Sequence, residues 1–225
     1  MLLMAILFYF IYFGQEAIME EVSRVEEWVN SITHYFGVIL ALIGTGALLV
    51  RTIESDNLGY LVGSMLFCFS LILLYSMSGT YHILYTGKLK RIFKILDHSA
   101  IYILISGSYT PYLLGFFDGN VKWILFFTQW GMTLAGIIFK IFFTGRFKLI
   151  STLIYLFMGW MIIFVFDDLK TLISPLSLKF LIAGGIAYSI GTIFYGMKKI
   201  RFMHGVWHLF VLTGSILNYL SVYFI

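Results

Sequence analysis

The sequence predicts an all-α membrane protein built as a bundle of seven transmembrane helices. Apolar residues make up 60% of the 225 residues and charged residues only 12%, a balance that excludes an ordinary soluble domain. The chain also contains seven apolar stretches of about 20 residues, the length that an α-helix needs to cross a hydrocarbon core of roughly 30 Å. These stretches are 31–50, 58–85, 95–117, 121–143, 149–166, 178–197 and 202–225.

The segment that precedes the first span, residues 1–30, has a different character. Residues 1–13 are apolar but too short to cross a bilayer, and the stretch from Gln15 to Glu27 is strongly acidic. The segment lacks the basic leader and the small-residue cleavage site of a secretory signal peptide. We therefore expect it to be retained as a helix at the membrane interface; a translation start at Met19 is the alternative.

The connections between the spans are short, since none is longer than about a dozen residues. The sequence therefore predicts no soluble catalytic or binding domain between them. Residues 31–225 are expected to form a single membrane domain, and any chemistry must take place inside the bundle.

Lysine and arginine set the predicted orientation. The turns after the second, fourth and sixth spans are rich in these residues, whereas the other turns carry few. Because basic turns remain in the cytoplasm, we expect the N-terminus inside and the C-terminus outside, and the net charge of +4 reflects topology rather than nucleic-acid binding. The basic residues of the three turns are Lys88, Lys90, Arg91, Lys94, Lys140, Arg146, Lys148, Lys198, Lys199 and Arg201.

This orientation places all five histidines and Asp97 near the cytoplasmic ends of their spans. At a rise of 1.5 Å per residue, each lies within roughly 10 Å of a helix end. Ionisable groups at this depth cost free energy to keep, so a shared depth suggests a metal or proton site assembled from several helices. The histidines are His34, His82, His98, His204 and His208.

Three of these histidines form the most specific pattern. His204 and His208 are four residues apart on one helix face, so both imidazoles can reach one divalent ion. His82 on another span would supply a third ligand and leave a fourth position for water, as in catalytic zinc sites. Asp97 could orient a ligand or accept a proton from the water. The hydroxyl of Ser78, one turn from His82, could form a hydrogen bond with the water, with Asp97 or with a substrate carbonyl.

Other interpretations of the same residues are open at this stage. A histidine pair near the interface could be a polar cap that touches lipid head groups, and Ser78 could be a small residue that allows close helix packing. His34 and His98 are expected to form hydrogen bonds between helices, because three histidines and a water already complete a tetrahedral site.

The order of these motifs resembles the hemolysin III family. The pattern is Ser-x3-His, then Asp, then His-x3-His, and an acidic motif precedes it in the first span. Because several motifs occur in the expected order, the resemblance is specific, and it covers residues 20–225. The matching runs are Glu27-x2-Asn30-x2-Thr33-His34-x2-Gly37, Ser78-Gly-Thr-Tyr-His82, Leu96-Asp97-His98, Gly107-Ser-Tyr-Thr-Pro111 and His204-Gly-Val-Trp-His208.

The resemblance implies a seven-helix fold shared with progestin and adipoQ receptors and with alkaline ceramidases, with zinc near the cytoplasmic side. By this analogy His82, His204 and His208 would be the zinc ligands, Asp97 would hold or activate a water on the metal, and Ser78 would support it. The chain departs from the family pattern at Asn218, where many bacterial members have histidine.

Two functions from different classes follow. In the first, the protein is a zinc hydrolase that acts on a lipid amide or ester, with Asp97 as the proton acceptor. In the second, it is a pore-forming or cytolytic protein whose metal site is structural. The sequence favours the first, because spans four to six carry almost no polar residue at mid-membrane to line a pore. A receptor-like sensor with zinc as a fixed strut is a third option. We expect membrane lipids as partners and a bacterial plasma membrane as the location.

Overall fold

The computed structural model describes residues 24–197 and 200–225, and this part of the chain is helical with short connections and no strands. Residues 1–23, which include Met19 and most of the expected interfacial segment, lie outside the described part, and residues 24–30 belong to the first helix. The α-helices are α1 (Arg24–Glu54), α2 (Leu58–Ile83), α3 (Lys88–Gly115), α4 (Gly119–Phe143), α5 (Lys148–Trp160), α6 (Phe166–Leu172), α7 (Pro175–Gly196) and α8 (Met203–Tyr223).

Six helical segments of the described chain are long and apolar enough to cross a membrane. These are α1, α2, α4, the stretch Lys148–Leu172, α7 and α8. The predicted third span corresponds to α3, which is not among the six. Its inward face carries buried polar side chains such as Ser99, Ser106 and Thr110, which lower its apolar content.

The helices pack mainly against their neighbours in the chain. α2 packs against both α1 and α3, α4 packs against α3, and α7 pairs with α8. α8 also contacts α1, which brings the last helix back to the first. This closure brings the end of α2 and the start of α8 against the start of α1.

α3 lies against α2 along most of its length. A Cβ atom on Gly63 of α2 would lie 2.7 Å from the Cα of Pro111, and one on Gly107 of α3 would lie 2.9 Å from the Cβ of Ser70. Side chains larger than hydrogen are therefore excluded at both positions, and the two backbones come into close contact. At the start of α2, the Asn57 side-chain amide donates a hydrogen bond to the Gly115 carbonyl at the end of α3, at 2.8 Å.

The fifth predicted span, 149–166, is longer and less regular than the sequence indicates. A 3-10 segment, Met161–Val165, joins α5 to α6, so the helical stretch continues to Leu172. The phenol of Tyr109 accepts a hydrogen bond from the Ile162 backbone N–H at 3.0 Å and donates one to the Gly159 carbonyl at 2.7 Å. Backbone groups that a continuous helix would pair internally are thus paired by a side chain from α3.

A second buried side chain also supports this irregular segment. Gln129 of α4 donates a hydrogen bond from its side-chain amide to the Met158 carbonyl at 2.9 Å. Apolar periodicity does not reveal such an interruption, because the residues of the interrupted segment are themselves apolar.

Replacement of Tyr109 by phenylalanine is expected to destabilise the protein by about 1–3 kcal/mol, because two buried backbone groups lose their shared partner. Tyr85, which is 70% exposed, offers a matched control in Tyr85→Phe. Unfolding of both variants in detergent micelles measures the difference. Equal stability of the two variants would show that the phenol does not support the interrupted span.

Candidate metal centre

His82, His204 and His208 lie together at one end of the bundle. His82 is in the last turn of α2, and the other two occupy the first two turns of α8. One ring nitrogen from each of the three histidines lies within 4.8 Å of a ring nitrogen of each of the other two. The Nε2 atoms of His82 and His204 are 3.3 Å apart. The group, which we call the histidine group, could hold one metal ion.

Burial of the histidine group argues against a polar cap exposed to lipid head groups. His82 and His208 are 5% and 2% exposed, and His204 is partly buried. Each ring centroid lies between 4.7 and 5.1 Å from the other two. The rings therefore face one another inside the protein instead of pointing outward.

The carboxylate of Glu27 fixes the orientation of His82. Its Oε2 atom lies 2.8 Å from His82 Nδ1, and its Oε1 atom accepts a hydrogen bond from Lys90 Nζ at 2.9 Å. A carboxylate accepts hydrogen bonds only, so Nδ1 of His82 carries the hydrogen. In the neutral imidazole, Nε2 then keeps its lone pair. Nε2 is the atom that faces His204, as expected for a histidine ligand with a carboxylate behind it.

A backbone carbonyl has the same effect on His208. Its Nδ1 atom lies 3.2 Å from the Asn30 carbonyl oxygen, which can only accept a hydrogen bond. Nδ1 therefore carries the hydrogen, and Nε2 remains the basic nitrogen. The same Nδ1 lies 3.5 Å from the Thr33 hydroxyl. The first helix thus orients histidines that belong to the second and the last helices.

Glu26, the neighbour of Glu27, holds the start of α8 in place. Its Oε1 atom accepts a hydrogen bond from the backbone N–H of Phe202 at 2.6 Å and lies 3.9 Å from Arg201 Nε. Phe202 precedes the first residue of α8 and has a left-handed backbone with φ of 64°. A carboxylate at a helix N-terminus is favourable because the first N–H groups have no partner within the helix.

His34 lies against the histidine group without belonging to it. Its ring stacks on that of His208 with 3.6 Å between centroids and 11° between planes. Tyr75 meets the ring edge-on at 5.2 Å. Neither ring nitrogen of His34 has a hydrogen-bond partner among the described residues. The predicted hydrogen bond from His34 to another helix is therefore not found in this part of the chain.

Asp97 and Ser78 have different relations to the histidine group. Ser78 is buried on α2, one helical turn before His82. Asp97 is not part of the group, and its carboxylate lies 3.4 Å from His98 Nδ1. It is close enough to Tyr195 to act on it electrostatically, and the Tyr195 ring lies 6.3 Å from that of His204.

Two further positions are separate from the histidine group. The Nδ1 atom of His98 lies 2.7 Å from the Lys94 carbonyl of its own helix. Asn218, where the chain departs from the family pattern, lies ten residues beyond His208 on α8, about 15 Å along the helix axis. The departure therefore does not alter the contacts of the histidine group.

The sequence assigned no individual role to Glu26, Glu27 or Asn30, although Glu27 and Asn30 belong to the first-span motif. The available signal was a pair of adjacent carboxylates at the start of a membrane span in a chain with 12% charged residues. Carboxylates are costly to keep near the hydrocarbon core unless they are paired. Both carboxylates have partners at the two helix ends that carry the histidine group.

Comparison with known proteins finds relatives over most of the chain. The chain is 43% identical over 199 residues to the "Hemolysin-3 homolog" of Bacillus subtilis (strain 168), which covers 88% of this chain and 93% of that protein. It is 41% identical over 199 residues to "Hemolysin-3" of Bacillus cereus, with 88% and 91% covered. It is 28% identical over 208 residues to human "Monocyte to macrophage differentiation factor", with 88% and 83% covered.

The six apolar helices and the bacterial relatives identify a multi-pass integral membrane protein of the bacterial plasma membrane. The family described as "Haemolysin-III related" matches residues 22–219. This range includes the histidine group and the α1 residues that orient it. The chain therefore belongs to the haemolysin III family.

Proposed function

We propose that the histidine group binds zinc. Nitrogen ligands bind zinc at about 2.0–2.1 Å in a tetrahedral arrangement, which puts two such nitrogens about 3.4 Å apart. The 3.3 Å between the Nε2 atoms of His82 and His204 fits this spacing. Hydrogen bonds from Nδ1 of His82 and His208 leave their Nε2 lone pairs available, and three imidazoles suit zinc better than the oxygen-binding cations.

The zinc site supports a hydrolase acting on a lipid amide or ester at the cytoplasmic leaflet. The observation that carries this proposal is the number of histidines: three protein ligands are typical of catalytic zinc, whereas structural sites have four. Zinc in such a site would supply Lewis acidity toward a water and a carbonyl oxygen. The substrate would enter from the bilayer, because the described chain carries no separate soluble domain.

Two side chains near the histidine group have roles in this proposal. Asp97 accepts a proton from water, acting as a general base from the α3 side of the site. The hydroxyl of Ser78 donates a hydrogen bond to the substrate carbonyl from a buried position one turn below His82. Asp97 requires an intervening water or a substrate group to act on the site, since its carboxylate contacts His98 and not the histidine group.

A structural metal is the alternative function for the same residues. The histidine group connects the end of α2 to the start of α8, and both glutamates connect these ends to α1. A metal there would brace three helix ends whether or not the site is catalytic. A pore-forming protein with a structural zinc would have this brace and no hydrolytic activity.

We also propose that α3 crosses the membrane, giving seven spans with a cytoplasmic N-terminus and an external C-terminus. Its 28 residues extend about 42 Å, enough to cross. It packs along α2, a candidate span, and is connected to α2 and α4 by short turns. A helix surrounded by other helices can carry polar side chains on its inward face, because they do not contact lipid.

Substitution of Glu27 by glutamine is expected to weaken zinc binding by about 10- to 100-fold, because an amide replaces the carboxylate that orients His82. Competition with a chromophoric chelator measures the dissociation constant. Glu54→Gln, at the exposed opposite end of α1, is the control and should bind zinc as the unmodified protein does. Unchanged affinity in Glu27→Gln would refute the role of this carboxylate.

Replacement of Asp97 by asparagine should lower turnover of a short-chain ceramide or ester in micelles by about 10²- to 10⁴-fold, because the proton acceptor is lost. Zinc content should remain unchanged. Asp167→Asn, a substitution of an exposed carboxylate paired with Lys170, serves as the control. Full turnover in Asp97→Asn would eliminate the mechanism, and no turnover by the unmodified protein would favour the structural metal.

Reporter fusions at the two ends of the chain test the proposed topology. Alkaline phosphatase is active only outside the cytoplasm, so a C-terminal fusion should be active and an N-terminal fusion inactive. An odd number of crossings requires the ends to lie on opposite sides. Reporters that place both ends on one side would rule out seven spans.

A further inference from the structure

A second polar cluster lies between α3, α4 and α5 and is separated from the histidine group by α3. Its centre is Lys140, a lysine of α4 that is only 2% exposed. The Lys140 ammonium donates a hydrogen bond to the hydroxyl of Ser151 on α5 at 2.6 Å. Its nitrogen also lies 5.7 Å from the centre of the Tyr155 ring.

The charge of Lys140 is not balanced by a carboxylate. No ion pair joins Lys140 to an acidic residue in residues 24–197 and 200–225. An ammonium group can donate three hydrogen bonds and accept none, and the described contacts satisfy one of them. A buried cation with a single neutral partner is unfavourable unless a further group compensates its charge.

One neighbouring hydroxyl group, that of Ser99, also has no hydrogen-bond partner among the residues that the structure describes. Ser99 is 5% exposed. The hydroxyl of Tyr102, which is fully buried, interacts with those of Tyr155 and Ser151. Ser99 is one turn before Tyr102 on the same helix, and Lys140 is one turn after Gly136, which contacts the Tyr102 ring.

The cluster therefore has an excess of hydrogen-bond donors. Tyr155 already donates its hydroxyl hydrogen to the His98 carbonyl at 3.0 Å. The ammonium of Lys140 and the hydroxyl of Ser99 need acceptors. A compact oxyanion would satisfy these donors and the positive charge together.

Further cations surround this end of the three helices. Lys94 Nζ lies 3.6 Å from the position that a Cβ atom on Gly145 would take, above the turn between α4 and α5. Lys148 is close enough to Lys94 for the two charges to repel each other, and it precedes Ser151 by one helical turn. Clusters of lysine at this depth attract the phosphates of anionic lipids.

We propose that Lys140 and Ser99 provide the donors of a binding site for a phosphate group, with Ser151 holding the Lys140 ammonium in place. The phosphate belongs either to the headgroup of an anionic phospholipid in the adjacent leaflet or to free inorganic phosphate. A tetrahedral phosphate presents several acceptor oxygens, which match the donors from α3 and α4. The site is independent of the histidine group and does not require the proposed hydrolase activity.

Three probes test this site on delipidated, full-length protein in detergent. They are short-chain phosphatidylglycerol, the diacylglycerol with the same chains but no phosphate, and inorganic phosphate. Native mass spectrometry and the thermal unfolding midpoint report binding. Phosphatidylglycerol should bind and raise the midpoint, and the diacylglycerol should not.

Lys140→Met removes the charge and keeps a similar side-chain length. Its affinity for phosphatidylglycerol should fall by at least about tenfold, as expected for a lost charge-assisted hydrogen bond. Lys179→Met, which changes an exposed lysine of α7, should bind like the unmodified protein. Without any probe, Lys140→Met should unfold at the same or a higher temperature, because an uncompensated buried charge has been removed.

The outcomes separate the two sources of phosphate. Binding of phosphatidylglycerol alone, lost in Lys140→Met, assigns the site to a lipid headgroup. Binding of inorganic phosphate with the same dependence on Lys140 assigns it to the free anion. Binding that is equal in Lys140→Met and Lys179→Met, or a lower unfolding temperature of probe-free Lys140→Met, would overturn the proposal.

Discussion

The hydrogen bond between Glu27 and His82 is the interaction on which the site depends. Imidazole rings can share one ion only if the nitrogen of each ring that faces the others carries no hydrogen, so the tautomer of each ring must be fixed. Glu27 Oε2 lies 2.8 Å from Nδ1 of His82, and the Asn30 carbonyl oxygen lies 3.2 Å from Nδ1 of His208. These two contacts fix the tautomers of the two rings. Because both partners belong to α1, the first helix determines how the second and last helices face each other.

The same helix also explains why the acidic residues are tolerated at this depth. Glu27 is paired with Lys90 as well as with His82, and Glu26 accepts a hydrogen bond from the backbone N–H of Phe202, the residue that precedes α8. Charged groups near lipid are retained when such partners compensate them. The bundle is therefore closed at this end by polar contacts.

Much of the architecture could be predicted from the sequence, because apolar length and basic turns are direct consequences of the bilayer. The common depth of the histidines also follows from helix geometry. Their mutual orientation does not, since helices that are apolar on most faces give no periodic signal for the inward side. The roles of Glu27 and Asn30 were missed for the same reason, as was the interruption in the fifth span, which Tyr109 and Gln129 support from other helices.

Metal analysis of the purified protein tests the central claim most directly. About one zinc ion per chain is predicted for the unmodified protein and for His98→Ala, whose ring lies outside the histidine group, and almost none for His204→Ala or His208→Ala. A protein purified without metal chelators that contains no zinc and binds none when it is supplied would contradict the account. So would zinc content that is the same in all four proteins.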